Sequence, residues 1–155
     1  MKTEASGSEK WWEQPLETFT HEQWEALCDG CGKCCLNKLQ EEEAGPVYFV
    51  RAACTYLDLT RGGCSVYDQR LHRRPECLEL TQENLGSMIE WLPRTCAYRL
   101  VYLNQSLPDW HPLLTGDRSS VNKAGHAAWT GAVNEEAVPE EEWELLIWED
   151  IDHGV

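Results

Sequence analysis

Four cysteines in eight residues constrain this chain more than any other stretch. They lie in Cys28-Asp29-Gly30-Cys31-Gly32-Lys33-Cys34-Cys35, a C-x-x-C-x-x-C-C spacing. Two thiolates separated by two residues point into one tetrahedral volume when the chain turns between them. Gly30 and Gly32 supply the positive φ that such a turn needs. Lys33 adds a local positive charge against the thiolates. The adjacent Cys34 and Cys35 are expected to diverge, one facing a first site and the other a second site or the core. Four reduced thiols packed this tightly have little packing value, so a metal is the expected occupant.

Four more cysteines follow singly: Cys54, Cys64, Cys77 and Cys96. Eight thiolates suffice for two four-coordinate sites, or for one site with spare thiols. Taken one at a time, Cys54, Cys77 and Cys96 read equally well as small buried hydrophobes. Three cysteines spaced by two residues are also the first three ligands of bacterial [4Fe–4S] ferredoxins. Zinc sites more often use two separated pairs. The spacing therefore tilts toward an iron–sulfur cluster, with zinc as the alternative cofactor. A redox CxxC pair expects a helix after it in a βαβ setting, whereas this cluster follows a predicted helix. His72, between Cys64 and Cys77, is a further candidate ligand. His111, beside Pro112, reads as a hydrogen-bonding residue or part of a pocket.

The chain has 155 residues, enough for one domain with a sizeable core. Its 27 acidic and 13 basic residues give a net charge of −14. That balance argues against nucleic acid and anionic membrane as partners. Met1 to Pro15 lacks the apolar stretch of a secretory signal, and Val47 to Val50 is far too short to span a bilayer. The expected location is the cytoplasm, where thiols stay reduced and a disulfide framework is not expected. No Ser/His/Asp order, phosphate-binding glycine loop or HExxH occurs.

Local signals predict a mixed chain. Residues 1–10 read as a flexible N-terminus, 11–134 as the Cys-rich domain, and 135–155 as an acidic helix and tail packed on it. A helix is expected over Thr20–Cys28, with Thr20 and Gln23 as a capping box. Leu36–Cys54 reads as a hairpin, broken at Glu41-Glu42-Glu43 and Gly45-Pro46. Thr60–Gly63 reads as a turn. Thr81 is placed to cap a helix over Gln82–Trp91, Thr95 to start another through Leu103, and Asn104–Asp117 reads as a loop. A strand is expected around Ala127–Val133. Trp143, Ile147 and Ile151 at i, i+4, i+8 predict an amphipathic helix over Glu140–Ile151. Glu135–Val155 carries nine acidic residues and no Lys or Arg. It reads as a solvated face, or as a docking segment for a basic protein partner.

The cluster and its surroundings resemble the YcgN-like uncharacterised bacterial proteins, within the wider CxxCxxCC, YkgJ-like superfamily of zinc- or iron-chelating domains. The resemblance rests on the 28–35 cluster, Val47-Tyr48-Phe49, Ala53-Cys54, Tyr67 with Arg70, and Pro75-Glu76-Cys77. It also rests on Trp91 through Arg99, and on Trp110-His111-Pro112-Leu113 with Gly116-Asp117. It covers residues 10 to 150. It implies a small bacterial metal-binding domain with Cys28, Cys31, Cys34, Cys35, Cys54, Cys64, Cys77 and Cys96 as candidate ligands. Leu71 stands where the superfamily's middle motif has Pro, which lengthens the spacing to Cys77. The fold expected is α+β: a small, loop-rich single domain around a Cys-ligated metal cluster, with a β-hairpin and several short helices. Two other functions stay open. One is an enzyme using the cluster for redox or substrate chemistry. The other is a zinc-stapled interaction module.

Overall fold

The computed structural model describes residues 6–40, 42–43, 45–75, 77, 79–149 and 151. Residues 1–5 of the expected flexible N-terminus, Glu41, Glu76 and residues 152–155 of the tail lie outside the described residues.

Helix α1 (His21–Ala26) forms where the capping box is written. Thr20 Oγ1 accepts from the Gln23 N–H at 3.1 Å, and Gln23 Oε1 accepts from the Thr20 N–H at 2.9 Å. The helix stops earlier than expected, at Leu27, and the cysteine loop begins.

Strands β1 (Leu36–Gln40) and β2 (Val47–Ala53) make the expected hairpin, antiparallel, with an irregularity between Leu36 and Lys38. Strand β3 (Val133–Asn134) adds to β2 in parallel, completing a three-stranded sheet in the order β1-β2-β3. The strand expected around Ala127–Val133 thus contracts to its last residue, Val133, and the next. Ahead of it, Ala128–Thr130 is a 3-10 turn.

The remaining helices are short: α2 (Arg70–Arg73), α3 (Leu85–Met88), α4 (Ala97–Tyr102), α5 (Pro112–Thr115) and α6 (Ser120–Lys123). The helix expected over Gln82–Trp91 splits into α3 and a 3-10 turn, Ile89–Trp91. Gly86 lies inside it, and a Cβ there would fall 2.6 Å from the Tyr102 hydroxyl. The close approach of α4 therefore demands a residue that weakens α3. The loop expected over Asn104–Asp117 contains α5, capped by the His111 side chain.

The C-terminal segment differs most from expectation. Glu140–Leu146 winds as a 3-10 helix, and Ile147 then extends to bridge Val50 antiparallel. The Trp148 N–H donates to Phe49 O at 2.8 Å. An α-helix here would carry Glu140, Glu141, Glu142 and Glu144 with no basic partner four residues on. The backbone hydrogen bonds to β2 compete successfully with it.

Two small cores result. Trp12, Phe19, Trp24 and Leu27 pack with Leu85, Leu92, Tyr98 and Val101. Leu36, Ala53, Leu57, Ala128 and Ile151 form the second, flanked by Phe49, Trp129 and Trp148. The architecture is α+β and rich in loops. Among the described residues no helix is long and apolar enough to cross a membrane.

Candidate metal centre

The cysteine loop is pinned at both ends by fully buried residues. Leu27 sits in the first core and Leu36 in the second. Between them, Asp29 Oδ1 accepts from the Cys31 N–H at 3.0 Å. Gly30 and Gly32 both take φ of 78°, as the spacing predicts. Cys31 O accepts from the Ala128 N–H at 2.7 Å, which ties the loop to the 3-10 turn. The Lys33 N–H lies 3.4 Å from Cys31 Sγ. Cys35 O accepts from the Cys54 N–H at 2.8 Å, bringing the end of β2 to the cluster. Cys64 is held by an antiparallel bridge to Leu57.

All eight cysteines are free. The structure sorts them into neighbourhoods by the charge each would place on the others. Cys34 lies close enough to raise the thiols of Cys28, Cys31 and Cys96, and Cys28 also raises Cys96. Cys54 and Cys64 both raise Cys35 and Cys77. Cys34 also reaches Cys77, so it joins the two groups.

Cys28 and Cys34 keep exposed surface, yet protein crowds their sulfurs. Burial, then the Cys34 and Asp29 charges, push Cys28 up to about 12. Burial and Asp29 hold Cys31 well above the ordinary thiol value, against the pull of Lys33. Burial likewise raises Cys77 and Cys96. Cys34 goes the other way. The neighbouring Cys35 thiol donates a hydrogen bond to it and lowers it to about 7, while Cys35 is raised by that same bond. The two thiols are thus neighbours, and both residues belong to the 3-10 turn Lys33–Cys35.

Cations surround this sulfur-rich region. Lys33 is fully buried; its Nζ donates to Thr95 Oγ1 at 2.6 Å and lies 2.9 Å from His126 Nδ1. The Trp110 ring stacks on His126 at 3.9 Å. Lys38 Nζ donates to Cys34 O at 3.1 Å and Leu36 O at 3.0 Å. Arg74 donates to Cys54 Sγ at 2.7 Å and pairs with Glu135 through both nitrogens, at 2.6 and 3.1 Å. Glu135 also accepts from the Thr55 N–H and the Asn37 amide.

The donor chemistry fits a thiophilic metal. The thiols raise one another because several thiolates together are unstable in a crowded site, and a bound cation reverses that. The flanking lysines and arginine offset the negative charge of a thiolate-bound metal. Among the described residues, however, no group of three or more His, Cys, Asp or Glu side chains is arranged to hold a metal ion. Ligation therefore needs the sulfurs to draw together.

Two features had no local sequence signal. Lys33, Thr95 and His126 meet across 62 and 93 residues. Arg74 and Glu135 meet across 61. His72 stays exposed on α2. His111 is the hydrogen-bonding residue expected: Nε2 meets Leu27 O at 2.8 Å, and Nδ1 accepts from the Leu113 N–H at 3.0 Å. Burial lowers its pKa, which suits that neutral arrangement.

The fold and its sulfur-rich loop define a small Cys-rich α+β domain of the kind described as "Putative zinc- or iron-chelating domain", the CxxCxxCC profile that matches residues 27–97. Relatives extend the match over most of the chain. A UPF0260 protein of Marinobacter nauticus is 48% identical over 140 residues, covering 89% of this chain and 94% of that one. A Rhodobacter capsulatus relative is 46% identical, covering 90% and 94%. A third, from Shewanella frigidimarina, is 44% identical, covering 92% and 95%. The chain belongs to the UPF0260 family. No solved structure matches it.

Proposed function

We propose that this chain is a bacterial cytoplasmic metal-binding protein whose thiolates form two sets: Cys28, Cys31, Cys34 and Cys96, and Cys35, Cys54, Cys64 and Cys77. The observation that carries the reading is geometric: one loop holds Cys28, Cys31, Cys34 and Cys35, and the Cys54 N–H donates to Cys35 O at 2.8 Å, so the end of β2 brings a further cysteine to it. Four thiolates per set match the donor number of structural zinc and of iron–sulfur centres. Iron–sulfur is the preferred occupant, because the C-x-x-C-x-x-C spacing supplies three ligands from one loop. Such a group would supply electron transfer or, as zinc, a structural staple.

The chain's own residues do the rest. Gly30 and Gly32 let the loop turn under the sulfurs. Arg74 holds Cys54 by its sulfur while Glu135 holds Arg74. Lys33 places a cation beneath Cys31. Eight unpaired thiols suit a reducing compartment.

The test is anaerobic purification followed by an absorption spectrum and iron, sulfide and zinc per chain. Broad absorption near ~400 nm with matching iron and sulfide is expected for iron–sulfur. Cys96→Ser and Cys64→Ser should each empty one set and leave the other loaded. A wild-type chain without metal overturns the function. Variants that each lose all metal, or none, overturn the division into two sets.

A further inference from the structure

A second feature shares Asp29 and Gly30 with the cysteine loop but none of its sulfurs. Three segments distant in sequence converge on an open cleft of about 420 Å³. Asp29 and Gly30 form one wall. Arg61, Gly62 and Gly63, at the tip of the loop bridged by Leu57 and Cys64, form another. Arg118 and Asn122, with Trp129, close the third. The volume lies within the range of small-molecule sites.

Two cations line the cleft, Arg61 and Arg118, and no ion pair holds either of them among the described residues. The nearby acids take local donors, and Asp29 keeps its charge in the cleft wall against the two arginines. Asp29 Oδ1 takes the Cys31 N–H. Asp58 Oδ1 takes the Thr60 and Arg61 N–H groups. Asp117 takes the Ser119 N–H and hydroxyl and the Lys123 ammonium. The Arg118 guanidinium lies over Gly30, where a Cβ would come 3.3 Å from Nη2, and it donates a long hydrogen bond, 3.5 Å, to Cys28 O.

The third wall also carries an aromatic ring. Trp129 lies flush on Gly62, so closely that a Cβ there would fall 2.5 Å from its indole Nε1. Two guanidiniums, a side-chain amide and a tryptophan around one cleft form the donor set for an oxyanion attached to a flat organic group.

We infer that this cleft binds a small organic anion, a carboxylate or phosphate gripped by Arg61 and Arg118 with its flat body against Trp129. The site shares Asp29 and Gly30 with the cysteine loop but takes a ligand of different chemistry from the sulfurs. Because both arginines are exposed at its rim, binding weakens as salt rises.

The test is calorimetric titration of the full-length protein, as purified, with phenyl phosphate, inorganic phosphate and succinate at low ionic strength, with metal content measured for every variant. One phenyl phosphate per chain is expected, bound more tightly than inorganic phosphate because of the Trp129 face. The Arg61→Gln/Arg118→Gln double variant should lose at least tenfold in affinity at unchanged metal content, and Arg70→Gln should change nothing. Phenylglyoxal labelling of the wild-type protein gives a second readout that needs no variant: phenyl phosphate should protect Arg61 and Arg118 and leave Arg70 reactive. Absence of binding by all three probes overturns the proposal. So does full affinity in the double variant, or labelling of Arg61 and Arg118 unaffected by phenyl phosphate.

Discussion

Glu135 shows how much one carboxylate can hold in a chain with few cations. Its oxygens take the Arg74 guanidinium, the Thr55 N–H and the Asn37 amide, and Arg74 in turn reaches the Cys54 sulfur. Burial pushes the Glu135 carboxyl up, but the Arg74, Thr55 and Asn37 hydrogen bonds outweigh it and hold it below the usual carboxylate range. A depressed folded pKa means stability that is present in full above the unfolded value, about 4.3. It is lost as pH falls from there through the folded pKa. Glu135→Gln keeps the shape and removes the charge. It should cost about 1–2 kcal/mol near neutral pH, since hydrogen bonds to charged groups are the stronger kind and Arg74 is partly solvated. In acid the variant and the wild type should melt together. Thermal melts of both across pH 7 to 3 check this, and a constant gap down to pH 3 would contradict it.

At the scale of elements, legibility followed range. The Thr20–Gln23 capping box was readable because its partners lie three residues apart. The β1–β2 hairpin was readable because a charged break separates two β-rich stretches. The Trp143, Ile147, Ile151 spacing misled, because a 3-10 helix followed by a single extended bridge also spaces residues to bury Ile151. Its deciding partner, Val50, lies nearly a hundred residues away. In the loop bridged by Leu57 and Cys64, Gly62 and Gly63 both take positive φ, 82° and 85°. Only Gly62 also meets a neighbour: Trp129 fills the space where its Cβ would be, whereas nothing lies within 4 Å of a Cβ on Gly63. Gly63→Ala should therefore cost only the backbone strain, about 1–2 kcal/mol. Gly62→Ala should cost that plus displacement of the indole, a further 1–3 kcal/mol or so. Denaturant melts of the two variants give the comparison. Equal losses would mean that Trp129 does not rest on Gly62.

At the scale of the whole molecule, the cysteine loop is a seam. It leaves the first core at Leu27 and joins the second at Leu36. Cys96 packs against the first core and Cys35 against the second. The positions of the eight cysteines could be read from the sequence; that Cys96 and Cys35 lie against different cores could not, because the contacts that build each core join distant segments. Each core is small, with ten buried hydrophobic residues in one and five in the other among the described residues. Cores of that size leave little margin against chain entropy. Metal drawing the sulfurs together across the seam would join the two cores into one cooperative unit. Binding of metal only to the folded chain adds stability by mass action, about 4 kcal/mol when free metal exceeds its dissociation constant a thousandfold. For a chain of this length that corresponds to a melting temperature roughly 10 °C higher. Removing metal with a chelator under reducing conditions should lower the melt by about that much and broaden it, as the cores loosen separately. Tryptophan emission and far-ultraviolet circular dichroism, followed together, should coincide in the loaded protein and separate in the stripped one. A stripped protein with the same sharp, coincident melt would mean that the two cores hold each other without metal.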